Sequence, residues 1–251
     1  MTTRPGVALI ECFGISDRGC VRSNNEDSFA VAPELGLAVL ADGMGGARAG
    51  ETASHVAVQI VRETLAAKEV RDAQALLEAV KRANLEVLTL ARSDRNLEGM
   101  GTTLVAALDQ GEEVAIASVG DSRAYLFDGA GLVAVTQDQS WVNEVGRLMG
   151  IDEETLKVHP MRHVLTMAIG VNTRLVVNSY RCPWSAGATL LLSSDGLHGV
   201  VPPEQMEEIL RRNGSLEVRC QALIDAARDA GGPDNITVVL LRKASGAGYR
   251  A

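Results

Sequence analysis

Residues 102–136 read TTLVAALDQGEEVAIASVGDSRAYLFDGAGLVAVT, in which apolar runs at 102–108, 113–119, 124–127 and 132–136 are cut by Asp-Gln-Gly and Asp-Gly-Ala-Gly turns. Connections this short leave no room for crossover helices, so the runs predict antiparallel strands in a meander. Upstream, 7–15, 28–32 and 35–41 carry the same signature, and downstream 175–181, 188–192 and 235–242 do so again. Helical periodicity appears between them. Residues 50–67 place Ala53, Val56, Ala57, Ile60, Val61, Thr64 and Leu65 on one stripe, and 72–92 repeat the pattern from Leu76 to Leu90, with Asp72 as the expected N-cap. Two more helices are expected at 203–212 and 216–230. Strand runs interrupted by paired helices, rather than strict alternation, predict an α+β fold: an antiparallel β-sandwich flanked by helix pairs.

Residues 139–163 are polar and irregular with one short helix expected, the profile of a flap over a site. There is no internal repeat and no low-complexity linker, which predicts one domain over residues 1–243 and a small, flexible tail at 244–251. The chain has 251 residues, is 46% hydrophobic and carries a net charge of -8. It can bury a large core. With no Lys/Arg-rich block, sequence-independent nucleic-acid binding is excluded. Cys12, Cys20, Cys182 and Cys220 show neither a metal spacing nor a disulfide density, no apolar run is long enough to span a membrane, and the first residues lack a signal-peptide pattern. A cytoplasmic protein with reduced thiols is the expectation.

Three apolar runs end in an aspartate, at Asp42-Gly43, Asp121-Ser122 and Asp195-Gly196, and Asp234 directly precedes a fourth. Asp-Gly is also a common turn, so each pair alone reads as a strand end. Jointly they gather like charges at one rim, with Glu26 and Asp27 close to the first strands, and like charges repel unless cations lie between them. No His-x-His, HExxH or Cys/His spacing accompanies them, so the ligands are oxygens, which suits Mg²⁺ or Mn²⁺ with retained waters. Two such ions can share one carboxylate and activate a water for attack on phosphorus. Asp42 is the bridging candidate, because the bare backbone of Gly43 lets its carbonyl approach an ion. Gly43-Met44-Gly45-Gly46 is not a dinucleotide loop, since the third glycine position falls at Arg48. Arg22 and Arg123 read either as surface ion pairs or, for Arg22, as a bidentate phosphate ligand. His55, His159, His163 and His198 are scattered, and no nucleophile elbow exists.

Seven motifs in order resemble the metal-dependent protein serine/threonine phosphatases of type 2C (the PPM family) in their short bacterial form. They are Asp17-x-Gly19-x-x-Arg22-x-x-Asn25-Glu26-Asp27, Ala41-Asp42-Gly43-Met44-Gly45-Gly46, Met100-Gly101-Thr102-Thr103, Gly120-Asp121-Ser122-Arg123-Ala124-Tyr125, Thr166-x-Ala168-Ile169-Gly170, Ser194-Asp195-Gly196-Leu197 and Gly231-Gly232-x-Asp234-Asn235-Ile236-Thr237-Val238. The resemblance implies a four-layer α-β-β-α domain with a binuclear Mn²⁺/Mg²⁺ site at one end. It further implies that Asp42 bridges the metals, the Gly43 carbonyl binds one, Asp195 and Asp234 bind the other, and Glu26 and Asp27 hold metal-bound waters. Arg22 would grip the substrate phosphate, Asp121 with Asp195 would form a third metal site, and residues 139–163 would be the family's flap. The implied reaction is hydrolysis of phosphoserine and phosphothreonine in proteins without a phosphoenzyme, by a monomer whose partners are a Ser/Thr kinase and its substrates. Met44, Ala47 and Gln139 stand where many members carry histidine, so water is the expected substitute for a histidine general acid. A phosphoprotein-binding module with weak turnover and an enzyme for small phosphoesters are the rival readings.

Overall fold

A computed structural model of the chain describes residues 10–45 and 49–244. Strands β1 (Ile10–Asp17), β2 (Asp27–Ala32) and β3 (Leu37–Met44) lead into helices α1 (Ala49–Ala66) and α2 (Ala73–Ser93). Five strands follow: β4 (Gly101–Thr102), β5 (Leu104–Asp109), β6 (Glu113–Val119), β7 (Arg123–Phe127) and β8 (Leu132–Ala134). Next come a π-helical turn (Val142–Gly146) and the short α3 (Glu153–Lys157), then β9 (Asn178–Pro183), β10 (Thr189–Ser193), α4 (Asp195–His198), α5 (Pro203–Arg211), α6 (Leu216–Asp229) and β11 (Ile236–Lys243).

The strands form two antiparallel sheets, ordered β1-β11-β10-β7-β8 and β2-β3-β5-β6-β9, with β4 against β3. Side-chain parity explains how they stack. In β3, Ala38 and Leu40 face the other sheet, whereas Leu37, Val39 and Ala41 lie under α1 and α2. In β11, Val239 and Leu241 face inward, and Val238 and Leu240 lie under α5 and α6. Four layers result, helix pair on sheet on sheet on helix pair. Both faces of the central strands are covered, which is why they read as continuous apolar runs rather than alternating ones. Asp72 caps α2 as expected, its carboxylate accepting from the Ala75 amide at 2.8 Å.

The expected four-strand meander is corrected at its midpoint. β5 and β6 form a hairpin, but β7 pairs with β10 and β8 in the opposite sheet. A short connection excludes a crossover helix within one sheet, yet it equally permits a corner between two sheets about 10 Å apart. That corner is Gly120–Asp121–Ser122. Gly120 has φ +90°, and a Cβ there would lie 2.8 Å from the Thr103 side chain. Smaller differences occur at element ends. β1 runs on to Asp17, β9 starts at Asn178 rather than 175, and α4 was not anticipated because four residues carry no periodicity. The expected strand residues 7–9, Ala47 and all of the tail beyond Ala244 lie outside the described residues. The stretch expected as a flap is stitched at its base, where the Trp141 amide donates to Val164 O and the Thr166 amide to Gln139 O.

Candidate metal centre

The inter-sheet layer turns from apolar to acidic at one pole. Asp42 follows Ala38 and Leu40 on the inward face of β3, and Asp27 is its register partner on β2. Ser194, just past β10, and Thr237, on the inward parity of β11, both donate to Asp27 Oδ2, at 2.8 and 2.6 Å. Asp195 opens α4 beside Ser194, Asp234 lies two residues ahead of β11, and Asp121 sits at the sheet-switching corner. Glu26 directly precedes β2. Five acids from five distant segments are thereby brought to one mouth, with Glu26 at its edge.

Close packing of the loops requires the glycine after Asp42. A Cβ on Gly43 would lie 2.2 Å from Gly50 O and 2.5 Å from Glu26 O, while the Gly43 amide donates to that same Glu26 carbonyl at 3.1 Å. The Asp42 backbone is held from the other side: Thr102 Oγ1 and the Thr103 amide both donate to its carbonyl at 2.8 Å, and its amide donates to Thr103 Oγ1 at 3.0 Å.

The electrostatics are strained throughout the cluster. Burial pushes the Asp27 carboxyl up to about 7 against the lowering effect of its two hydroxyl donors, with Asp195 and Asp234 adding to the rise. Burial raises Asp42 well above the carboxylate range, with Asp27, Asp195, Asp121 and Asp234 all adding repulsion. Asp121 rises to about 7 through burial and then Asp195 and Asp138. Asp195 is raised by burial and by Asp234, opposed by a hydrogen bond with Asp42. These last three keep some surface at the mouth but sit deep among protein atoms, so burial leads.

The residues fit hard cations. Asp27 Oδ1 and Asp195 Oδ1 are buried without a hydrogen-bond partner, an orphaning that costs free energy until something positive satisfies it. Among the described residues no three of His, Cys, Asp and Glu are gathered into a ready three-ligand cage. Zn²⁺ is disfavoured by the all-oxygen donors. Ions that keep several waters need only one or two carboxylates each, and the pairs around Asp42 and Asp195 supply these.

Arg22 reaches the same mouth, where its Nη2 lies 2.6 Å from Asp234 Oδ2 and the charges of Glu26 and Asp195 are felt. Arg123 pairs bidentately with Asp138, at 2.8 and 2.7 Å, so its ion-pair reading holds. Gln139 is a brace: only 2% exposed, it accepts from the Gly120 amide and donates to Val176 O, both at 3.0 Å, tying the start of the 139–163 stretch to the corner. His198 is half-buried, its Nδ1 2.9 Å from Ser193 Oγ, and desolvation and Arg123 hold its pKa well below the usual range, so it is neutral. His163, between α3 and β9, is the histidine near enough to lower Asp195.

Sequence reasoning assigned no role to Thr103, Ser194, Asn235 and Thr237. The available signal was polarity within apolar strands beside an acid. Asn235 is the clamp among the loops: its side chain donates to Arg18 O and Asn24 O at 3.0 and 2.8 Å and accepts from the Glu26 amide at 2.8 Å. Thr237→Val removes the shorter donor to Asp27 while conserving volume. The Mn²⁺ concentration for half-maximal activity is expected to rise about tenfold or more, with an unchanged far-UV spectrum. Unchanged metal dependence would show that Asp27 needs no such support.

A family model described as Protein phosphatase 2C matches residues 21–226. The serine/threonine phosphatase stp of Listeria monocytogenes is 39% identical over 236 residues, covering 91% of this chain and 94% of that protein. Among solved structures, the serine/threonine phosphatase Stp1 from Staphylococcus aureus superposes with a TM-score of 0.88 at 30% identity, covering 98% of this chain and all of the other. The catalytic domain of the serine/threonine protein phosphatase PstP in complex with two manganese ions gives a TM-score of 0.84 at 32% identity, covering 94% of this chain and 99% of that one. On sequence and on fold alike, this chain belongs to the protein phosphatase 2C family.

Proposed function

We propose that this chain hydrolyses phosphoserine and phosphothreonine in proteins at the acidic mouth between its sheets. The observation that carries the reading is the convergence of Asp27, Asp42, Asp121, Asp195 and Asp234 at one pole, with two carboxylate oxygens unpartnered. Asp42 and Gly43 would hold one Mn²⁺ or Mg²⁺ ion and Asp42, Asp195 and Asp234 a second, Glu26 and Asp27 would orient waters, and Asp121 with Asp195 would hold a third ion. Bound ions supply Lewis-acid polarisation of the phosphoryl group and bring the pKa of water close to neutrality.

The chain's own residues do the rest. Ser194 and Thr237 fix Asp27, Thr102 and Thr103 fix Asp42, and Arg22, at the mouth beside Asp234, would fork onto the phosphate oxygens. With Gln139 committed to bracing, the leaving-group proton comes from water. Phosphorylated proteins are the partners, including a Ser/Thr kinase and its substrates. Monomeric action is supported by a site built wholly within one chain, and a cytoplasmic location by four free cysteines. No helix among the described residues is long and apolar enough to cross a membrane.

The test is release of phosphate from a phosphothreonine peptide and from p-nitrophenyl phosphate as Mn²⁺ is titrated. Activity that appears with Mn²⁺ and disappears with chelator is expected; tight peptide binding without metal-stimulated release would make the chain a binding module instead. Arg22→Ala is expected to raise KM for the phosphopeptide about tenfold, with a smaller effect on kcat.

A further inference from the structure

The sheet that carries Asp195 and Asp234 at one pole has a second pole about 25 Å away along the eight residues of β11. There Arg242 is the register partner of both Glu11 and Thr189, and Thr189 in turn of Phe127. Together with α5 and α6 these strand ends line a cavity of ≈ 540 Å³. That is the size of a small-ligand site.

Its charge runs against that of the chain. Arg211, Arg219, Arg242 and Lys243 line it against only Glu11 and Asp128, in a protein of net charge -8. Both acids are already engaged: Glu11 with Arg242, and Asp128 Oδ1 with the amides of Ala130 and Gly131. Lys243 Nζ donates to the carbonyls of Gly111 and Trp184, and Arg211 pairs with Glu207. The Arg219 side chain has no hydrogen-bond or carboxylate partner among the described residues, and its Nε is buried without an acceptor. Burial and the neighbouring Arg242 charge both weaken its hold on its proton. Arg219 keeps an orphaned buried N–H with no counter-charge of its own, and with Glu11 already offsetting Arg242 the four cations of the lining outnumber its two acids, so an anion entering the cavity is favoured. Arginine forks match phosphate oxygens bidentately, and Phe127 and Leu210 add an apolar wall beside them.

We propose that this cavity binds the phosphoryl group of a small phosphate compound, with Arg219 and Arg242 as the pair that holds it. The experiment titrates inorganic phosphate, and separately AMP, into the Mg²⁺-loaded protein at constant ionic strength, following the arginine Nε–H resonances by NMR. Saturable shifts of the Arg219 and Arg242 resonances are expected. Arg219→Gln should weaken binding, read at Arg242, about tenfold, while phosphopeptide hydrolysis stays at the parental rate. Tighter binding of AMP assigns the site to phosphate esters, and equal binding to free phosphate. Shifts that fail to saturate for either probe, or that persist unchanged in Arg219→Gln, overturn the proposal.

Discussion

Asp42→Asn is expected to lower kcat/KM on a phosphothreonine peptide by about 10³-fold while raising the thermal stability of the metal-free protein at neutral pH. The two effects share one cause. Asp42 is desolvated and faces Asp27, Asp195, Asp121 and Asp234, so the folded chain must either hold a repelled charge or take up a proton. The unfolded chain does neither. Asparagine keeps the shape, removes the charge, and with it removes the repulsion that bound cations would otherwise offset. Kinetics with saturating Mn²⁺ and calorimetry in chelator measure the pair of outcomes. Parental activity would detach Asp42 from the chemistry, and lower metal-free stability would show that its charge is not a burden to the fold.

The second large effect is a reversal of pH dependence by metal. Asp27 and Asp121 rise from an ordinary 3.8 to about 7 in the folded chain, each corresponding to about 4 kcal/mol of differential proton binding. Between about pH 4 and about pH 7 the folded state therefore retains protons that the unfolded state has released, and stability falls as pH rises through that window, levelling off above it. In chelator, the melting temperature should decline across this range. Saturating Mn²⁺ competes with those protons, so binding releases them and stability should climb with pH over the same range. A metal-free melting temperature that is flat or increasing there would mean that the acids do not repel as their placement implies.

Much of this fold is written locally. The apolar runs of β3, β5, β6 and β11 are continuous because each central strand is covered on both faces, and α1 and α2 show their buried stripes at helical spacing. The acids were legible for a related reason, since Asp42, Asp195 and Asp234 adjoin strands too apolar to tolerate an unemployed charge. The role of Gln139 was not legible. Its neighbours in space are Gly120 and Val176, and nothing in the adjacent residues distinguishes a brace from a surface glutamine.

The amino-acid order alone determined the helices, the strand runs, the Asp72 cap and the membership of the acidic set, because period, capping and turn chemistry involve residues only a few positions apart. Tertiary structure decided that β6 and β7 lie in different sheets, that Ser194 and Thr237 meet Asp27 across more than half the chain, and that Arg219 and Arg242 line one cavity at the far pole. Register explains the division. A slip of one residue in β11 would carry Thr237 from the inter-sheet mouth to the helix-covered face, and that register is set by pairing with β1 and β10 rather than by anything within β11 itself.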